Sequence, residues 1–169
     1  VADARAEAEA RRAEFREAHE QRMRDAFAGT HPGRGVPVVS WAATALLGAV
    51  STIALLDPGA IGAYFVVTFV LFCLGAVMLA LDLVLAIARS TRDAMGIGGL
   101  FFLVDAAPQS VQRSLNGSLA AAVAISVATA VVGLSTPELA FGTLVPLFQL
   151  SLSGFWGVRH GLFDKRRDS

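Results

Sequence analysis

Four long stretches of the chain carry apolar side chains at almost every position: 37–56, 60–88, 115–134 and 139–158. Each holds 20 residues or more, and at about 1.5 Å rise per residue a helix of that length crosses the roughly 30 Å hydrocarbon core of a bilayer. Only helices and closed barrels satisfy every backbone group in lipid, and the alternating pattern of barrel strands is missing from these stretches. The pattern predicts an all-α membrane protein, a four-transmembrane-helix bundle within 37–169. The front of the chain, 1–28, reads the opposite way. It has no Gly or Pro from Ala2 to Phe27, abundant Ala, Glu and Arg, and opposite charges four apart in Glu7 with Arg11, Arg16 with Glu20 and Glu20 with Arg24. This is the pattern of a charged N-terminal helix, soluble or amphipathic, followed by a Gly/Pro linker at 29–36.

The turns bound the spans. Pro37 suits a first helical turn, Asp57-Pro58-Gly59 ends the first span, and Pro137 separates the third from the fourth. Charge then orients them. The 57–59 and 135–138 loops hold no Lys or Arg, whereas Arg34, Arg89, Arg92, Arg113, Arg159, Lys165, Arg166 and Arg167 flank the other ends. Positive residues stay cytoplasmic, so a multi-pass protein of the bacterial inner membrane with both termini in the cytoplasm is expected. Trp41 and Trp156 fall near the cytoplasmic interface and Tyr64 near the outer one, where amphipathic rings are favoured.

Composition adds exclusions. Apolar residues make up 54% of the 169, above the roughly 45–50% of soluble domains. The formal charge is zero, with six Arg and seven acids gathered in 1–28, so no basic surface for nucleic acid is expected. The first apolar stretch begins too late, and behind too many charges, for a secretory signal peptide, which predicts no cleaved leader. Cys73 is the only cysteine and lies mid-helix, which excludes an intramolecular disulfide. His19, His31 and His160 lack metal-ligand spacing, and the glycines of 96–99 are not followed by the Lys-Ser/Thr of a phosphate loop. No cofactor, metal centre or catalytic constellation is predicted. The 96–104 segment is too short to cross and is expected to lie along the inner interface. Thirteen Arg against one Lys, with very abundant Ala, suggests a high-GC bacterium.

The residues that could carry function are few. Asp82 is the one ionisable residue well inside a span, where a charge costs up to about 2.5–3.5 kcal/mol and needs a partner or water. Arg89 follows by two turns, about 10 Å along the same face, and Arg113, Asn116, Arg159 and His160 fall at that level. Three readings stand: a buried polar clamp, a proton or cation site in an aqueous pocket, and a subunit contact. Pro146 is expected to kink the fourth span, with Gln149 satisfying a freed backbone group. Small residues recur at spacing four, Gly117 and Ala121 in the third span and Ser153, Gly157 and Gly161 in the fourth, a pattern that lets helices approach within the bundle or between subunits. On the front helix, Phe15 and Phe27 are the candidates for docking a partner.

Two stretches near the end, Leu139-Ala140-Phe141-Gly142-Thr143-Leu144-Val145-Pro146 and Gly154-Phe155-Trp156-Gly157-Val158-Arg159-His160-Gly161, resemble small four-span membrane proteins of actinobacteria. The resemblance covers the last third of the chain. It implies membrane localisation and architecture, and it transfers no functional residue. The function expected is that of a non-catalytic accessory or assembly subunit of a larger inner-membrane complex, for instance a respiratory one, with other membrane subunits or copies of itself as partners beside the lipid. The alternative is a homo-oligomeric ion or proton channel or carrier that uses Asp82.

Overall fold

The computed structural model of the chain describes residues 2–29 and 32–165; Arg166 and Arg167 of the expected basic flank, and Thr30 and His31 of the expected linker, lie outside them. Two units are present, 1–32 and 33–169. The first is helix α1 (Ala2–Phe27), in which Glu7 and Arg11 pair at 3.9 Å on a solvated face.

The second unit is helical. It contains α2 (Gly35–Leu56), α3 (Ile61–Ser90), α4 (Ile97–Phe101), α5 (Gln109–Val132), α6 (Pro137–Ala140) and α7 (Pro146–His160), with 3₁₀ turns at Pro58–Ala60 and Phe141–Leu144. Four segments are long and apolar enough to cross a membrane: Gly35–Leu56, Pro58–Ser90, Gln109–Val132 and Pro137–His160. The Asp57 carboxylate accepts the N–H of Gly59 at 2.8 Å, and Pro58 opens the 3₁₀ turn, which reverses the chain between α2 and α3.

Two differences from the hydropathy pattern have clear causes. Helix α5 starts at Gln109, six residues ahead of the apolar block, because Pro108 opens it and residues 109–114 are polar helix that hydropathy does not register. The fourth segment is broken into α6, a 3₁₀ turn and α7. Pro146 stands in the first turn of α7 instead of kinking a continuous helix, and there its missing N–H costs nothing.

Helix α2 lies beside α5, and α3 beside α7. Ser40 meets Ser118 and Gly48 faces Ile125, so the first pair runs in the same direction. Tyr64 reaches Leu139, Gly75 faces Phe148, Asp82 flanks Gly154 and Arg89 reaches Val158, so the second pair is parallel as well. Arg34, Arg89, Arg92, Arg113, Arg159 and Lys165 therefore gather at one end, and Asp57 and Glu138 at the other. The interior mixes apolar side chains, among them Leu47, Tyr64, Leu115, Phe148 and Trp156, with small polar ones, Ser40, Thr44, Ser51, Thr68, Ser118, Ser126, Thr129 and Gln149, while Val66, Val70, Val77, Val84 and Ile87 of α3 are exposed. An aliphatic outer face of this kind suits a hydrocarbon surround.

Candidate functional site

Arg89 organises the arginine-bearing end. The last carbonyls of a helix lack intrahelical donors and carry the negative end of its dipole, and Arg89 supplies both donors and charge to α7. Its two terminal nitrogens donate to the carbonyls of Val158 (2.5 Å) and Gly161 (2.9 Å), and its Nε to the Asp93 carboxylate (2.7 Å). The guanidinium also lies 5.2 Å from the centre of the Phe163 ring. The chain after α7 is strapped down further. Leu162 N donates to Ala106 O, Ala94 N donates to Asp164 O, and Asp93 and Lys165 form an isolated antiparallel bridge.

Helix α4 forms a cap under the bundle. Leu100, Phe101 and Leu103 are buried, so much of this segment packs against the bundle, while Ile97, Phe102 and Val104 stay exposed. The fit depends on glycines of α7. A β-carbon on Gly157 would meet the backbone carbonyl of Leu100. One on Gly154 would stand 2.8 Å from Cε1 of Phe101 and 3.0 Å from Oδ2 of Asp82. The phenyl ring and the carboxylate thus flank the same bare point on α7. The loop leaving the cap holds two non-glycine residues with positive φ, Leu103 at 57° and Asp105 at 55°, a conformation unusual for a leucine side chain.

Asp82 is 1% exposed, and its Oδ2 has no hydrogen-bond partner among the described residues. None of the expected partners reaches it. Arg89 is committed to α7 and Asp93. Arg113 donates to Gln109 Oε1 at 3.3 Å, and Asn116 donates to Phe102 O at 3.1 Å. Arg159 is exposed, 5.9 Å from the centre of the Phe155 ring, and the His160 ring lies 5.7 Å from that of Trp156. The expected clamp is absent from these residues because two helix-end carbonyls and Asp93 offer Arg89 more acceptors, nearer the end of the bundle, than one carboxylate two turns back.

A second polar cluster links α2, α5 and α7. Ser40 and Ser118 share a hydrogen bond of 2.6 Å, Thr44 Oγ1 is within reach of the carbonyls of Ser40 and Ser118, and Gln149 Nε2 donates to Thr44 Oγ1 at 3.3 Å. The Gln149 amide therefore crosses to α2 and does not repair α7, which has no kink to repair. Sequence reading passed over Ser40, Thr44 and Ser118; their signal was the recurrence of hydroxyls on one face of α2 and of α5. Two of the aromatic residues assigned to interfaces are core residues instead. Tyr64 and Trp156 are fully buried, and the Tyr64 hydroxyl donates to Leu139 O at 3.0 Å; Trp41 stays exposed and donates to Ser114 at 3.1 Å.

The small residues are used within the unit. Gly157 and Gly161 face Leu100 and Phe163, Ser153 donates to Gln149 O, Gly117 faces Trp41 and Ala121 is half-buried. On α1, Phe15 is 69% exposed and Phe27 part-buried. Among the described residues no group of three or more His, Cys, Asp or Glu side chains is placed to hold a metal ion. Comparison with known protein families, curated proteins and solved structures finds no match.

Proposed function

We propose that the protein is a non-catalytic accessory or assembly subunit of a larger complex in the bacterial inner membrane, with both termini in the cytoplasm and the arginine-bearing end of the bundle facing them. The observation that carries this reading is the lopsided burial of α3. Only 17% of an apolar 18-residue stretch within Pro58–Ser90 is buried, against 56% of the corresponding stretch within Pro137–His160. A helix of 30 residues packed along one narrow face leaves an aliphatic wall free for lipid and for neighbouring subunits. The closed glycine contacts inside the bundle suit a rigid unit, and the separate charged helix suits a soluble docking element. A respiratory complex is one setting for such a subunit.

A homo-oligomeric proton-linked channel or carrier is the second reading, favoured by the unpaired Oδ2 of Asp82. Mild-detergent purification from native membranes, followed by mass spectrometry of the co-purifying chains, separates the two. The subunit reading expects a reproducible set of different membrane chains in fixed ratio. Recovery of a symmetric ring of this chain alone, with proton flux in liposomes abolished by Asp82→Asn, would replace it with the carrier.

A further inference from the structure

We propose that Asp82 is a proton-exchange site and that Phe101 gates it from the arginine-bearing end. Three features meet there. The carboxylate is 1% exposed, with Oδ2 unpartnered. Gly154 removes the side chain that would otherwise separate Asp82 from the cap, and the Phe101 ring closes over the same point. A buried charge without a counter-ion is costly in this surround, so the group calls for a positive ligand. The surroundings select which one. A sodium or potassium ion replaces its water shell with several oxygen ligands, whereas among the described residues Asp82 belongs to no group of three or more His, Cys, Asp or Glu side chains placed to hold a metal ion. A proton needs only one carboxylate oxygen.

The charged and titratable groups on the surrounding elements leave the carboxyl to itself. Arg89 and Asp93 hold each other and the end of α7, Arg159 is exposed beside Phe155, His160 lies against Trp156, Arg113 pairs with Gln109, and helix α4 carries no ionisable side chain. The route to water runs past Phe101, because α4 is the cap between Asp82 and that end. The cap is short, five residues, and its exit loop contains the two positive-φ residues, so it is the element of this region suited to opening locally while α3 and α7 stay packed.

The test is infrared spectroscopy of the full chain in reconstituted membranes, which follows the C=O stretch of the protonated carboxyl during a change of buffer from H₂O to D₂O. The Asp82 band is assigned by its loss in Asp82→Asn and by its displacement in Asp82→Glu, which keeps the carboxyl should the amide variant fold poorly. Wild type is expected to exchange slowly. Phe101→Ala is expected to exchange on the order of 100-fold faster, since removing a buried phenyl ring lowers the cost of opening the cap, and Phe101→Leu is expected to stay close to wild type. Unchanged exchange in Phe101→Ala overturns the gate. A band absent at every pH at which the fold persists, or one removed by sodium or potassium at fixed pH, overturns the proton site. The inference goes beyond the subunit reading and does not rest on it, because the readout is Asp82 itself and not the company the chain keeps.

Discussion

Arg89 closes the bundle where α7 runs out of hydrogen-bond donors. It contributes three charge-assisted bonds, to Val158 O, Gly161 O and Asp93, and bonds of this kind contribute about 1.5–3 kcal/mol each before relaxation. Since water at the helix end replaces part of what is lost, Arg89→Ala is expected to destabilise the helical unit by about 2–3 kcal/mol, seen as a lower unfolding temperature in detergent by circular dichroism. Arg89→Lys keeps the charge and loses the planar fork, so it should recover only part of the difference. At this scale Asp82 was legible as the one ionisable residue inside an apolar run, and Arg89 as the cation that ends the same helix. Their relationship was not. A spacing of seven places two side chains on one face, but it says nothing of the carbonyls that α7 brings to Arg89 from 69 and 72 residues away.

Between elements, α3 approaches the backbone of α7 closely at Gly75. A β-carbon there would stand 2.7 Å from the backbone nitrogen of Phe148 and 2.8 Å from its Cα, and neither atom yields without moving a helix. Gly75→Ala is therefore expected to cost about 1–3 kcal/mol by overpacking. Gly48→Ala meets only the tip of Ile125 at 3.6 Å and should be neutral or slightly stabilising, since alanine is the better helix former. Paired thermal melts of the two variants check this, and equal melting temperatures would refute the assigned contact. The sequence pointed to small faces at Gly117, Ala121, Ser153, Gly157 and Gly161 but not to Gly75. Of these, Gly157 and Gly161 are tightly enclosed, whereas Gly117 has Trp41 at ordinary contact distance, 3.6 Å. Spacing marks where a helix could be approached closely, and the neighbour's backbone decides where it is.

For the whole molecule, the gathering of Arg34, Arg89, Arg92, Arg113, Arg159 and Lys165 at one end leads to a topology that is directly measurable. In a Cys73→Ser background, single cysteines replacing Gly59 or Glu138 should react with a membrane-impermeant maleimide on intact cells, and one replacing Arg92 only after permeabilisation. The reverse pattern would invert the orientation. The number of apolar helices, the turns at Pro58 and Pro137, and the segregation of charge to one end were determined by the order of residues alone, because hydrophobicity, turn chemistry and charge act on each segment where it stands. Tertiary structure alone decided that α2 runs alongside α5 and α3 alongside α7, that Tyr64 and Trp156 turn inward, and that Asp82 is left without a cation beneath Phe101. Partners for a buried polar group are contested in space by residues far apart along the chain, and that contest has no local signature.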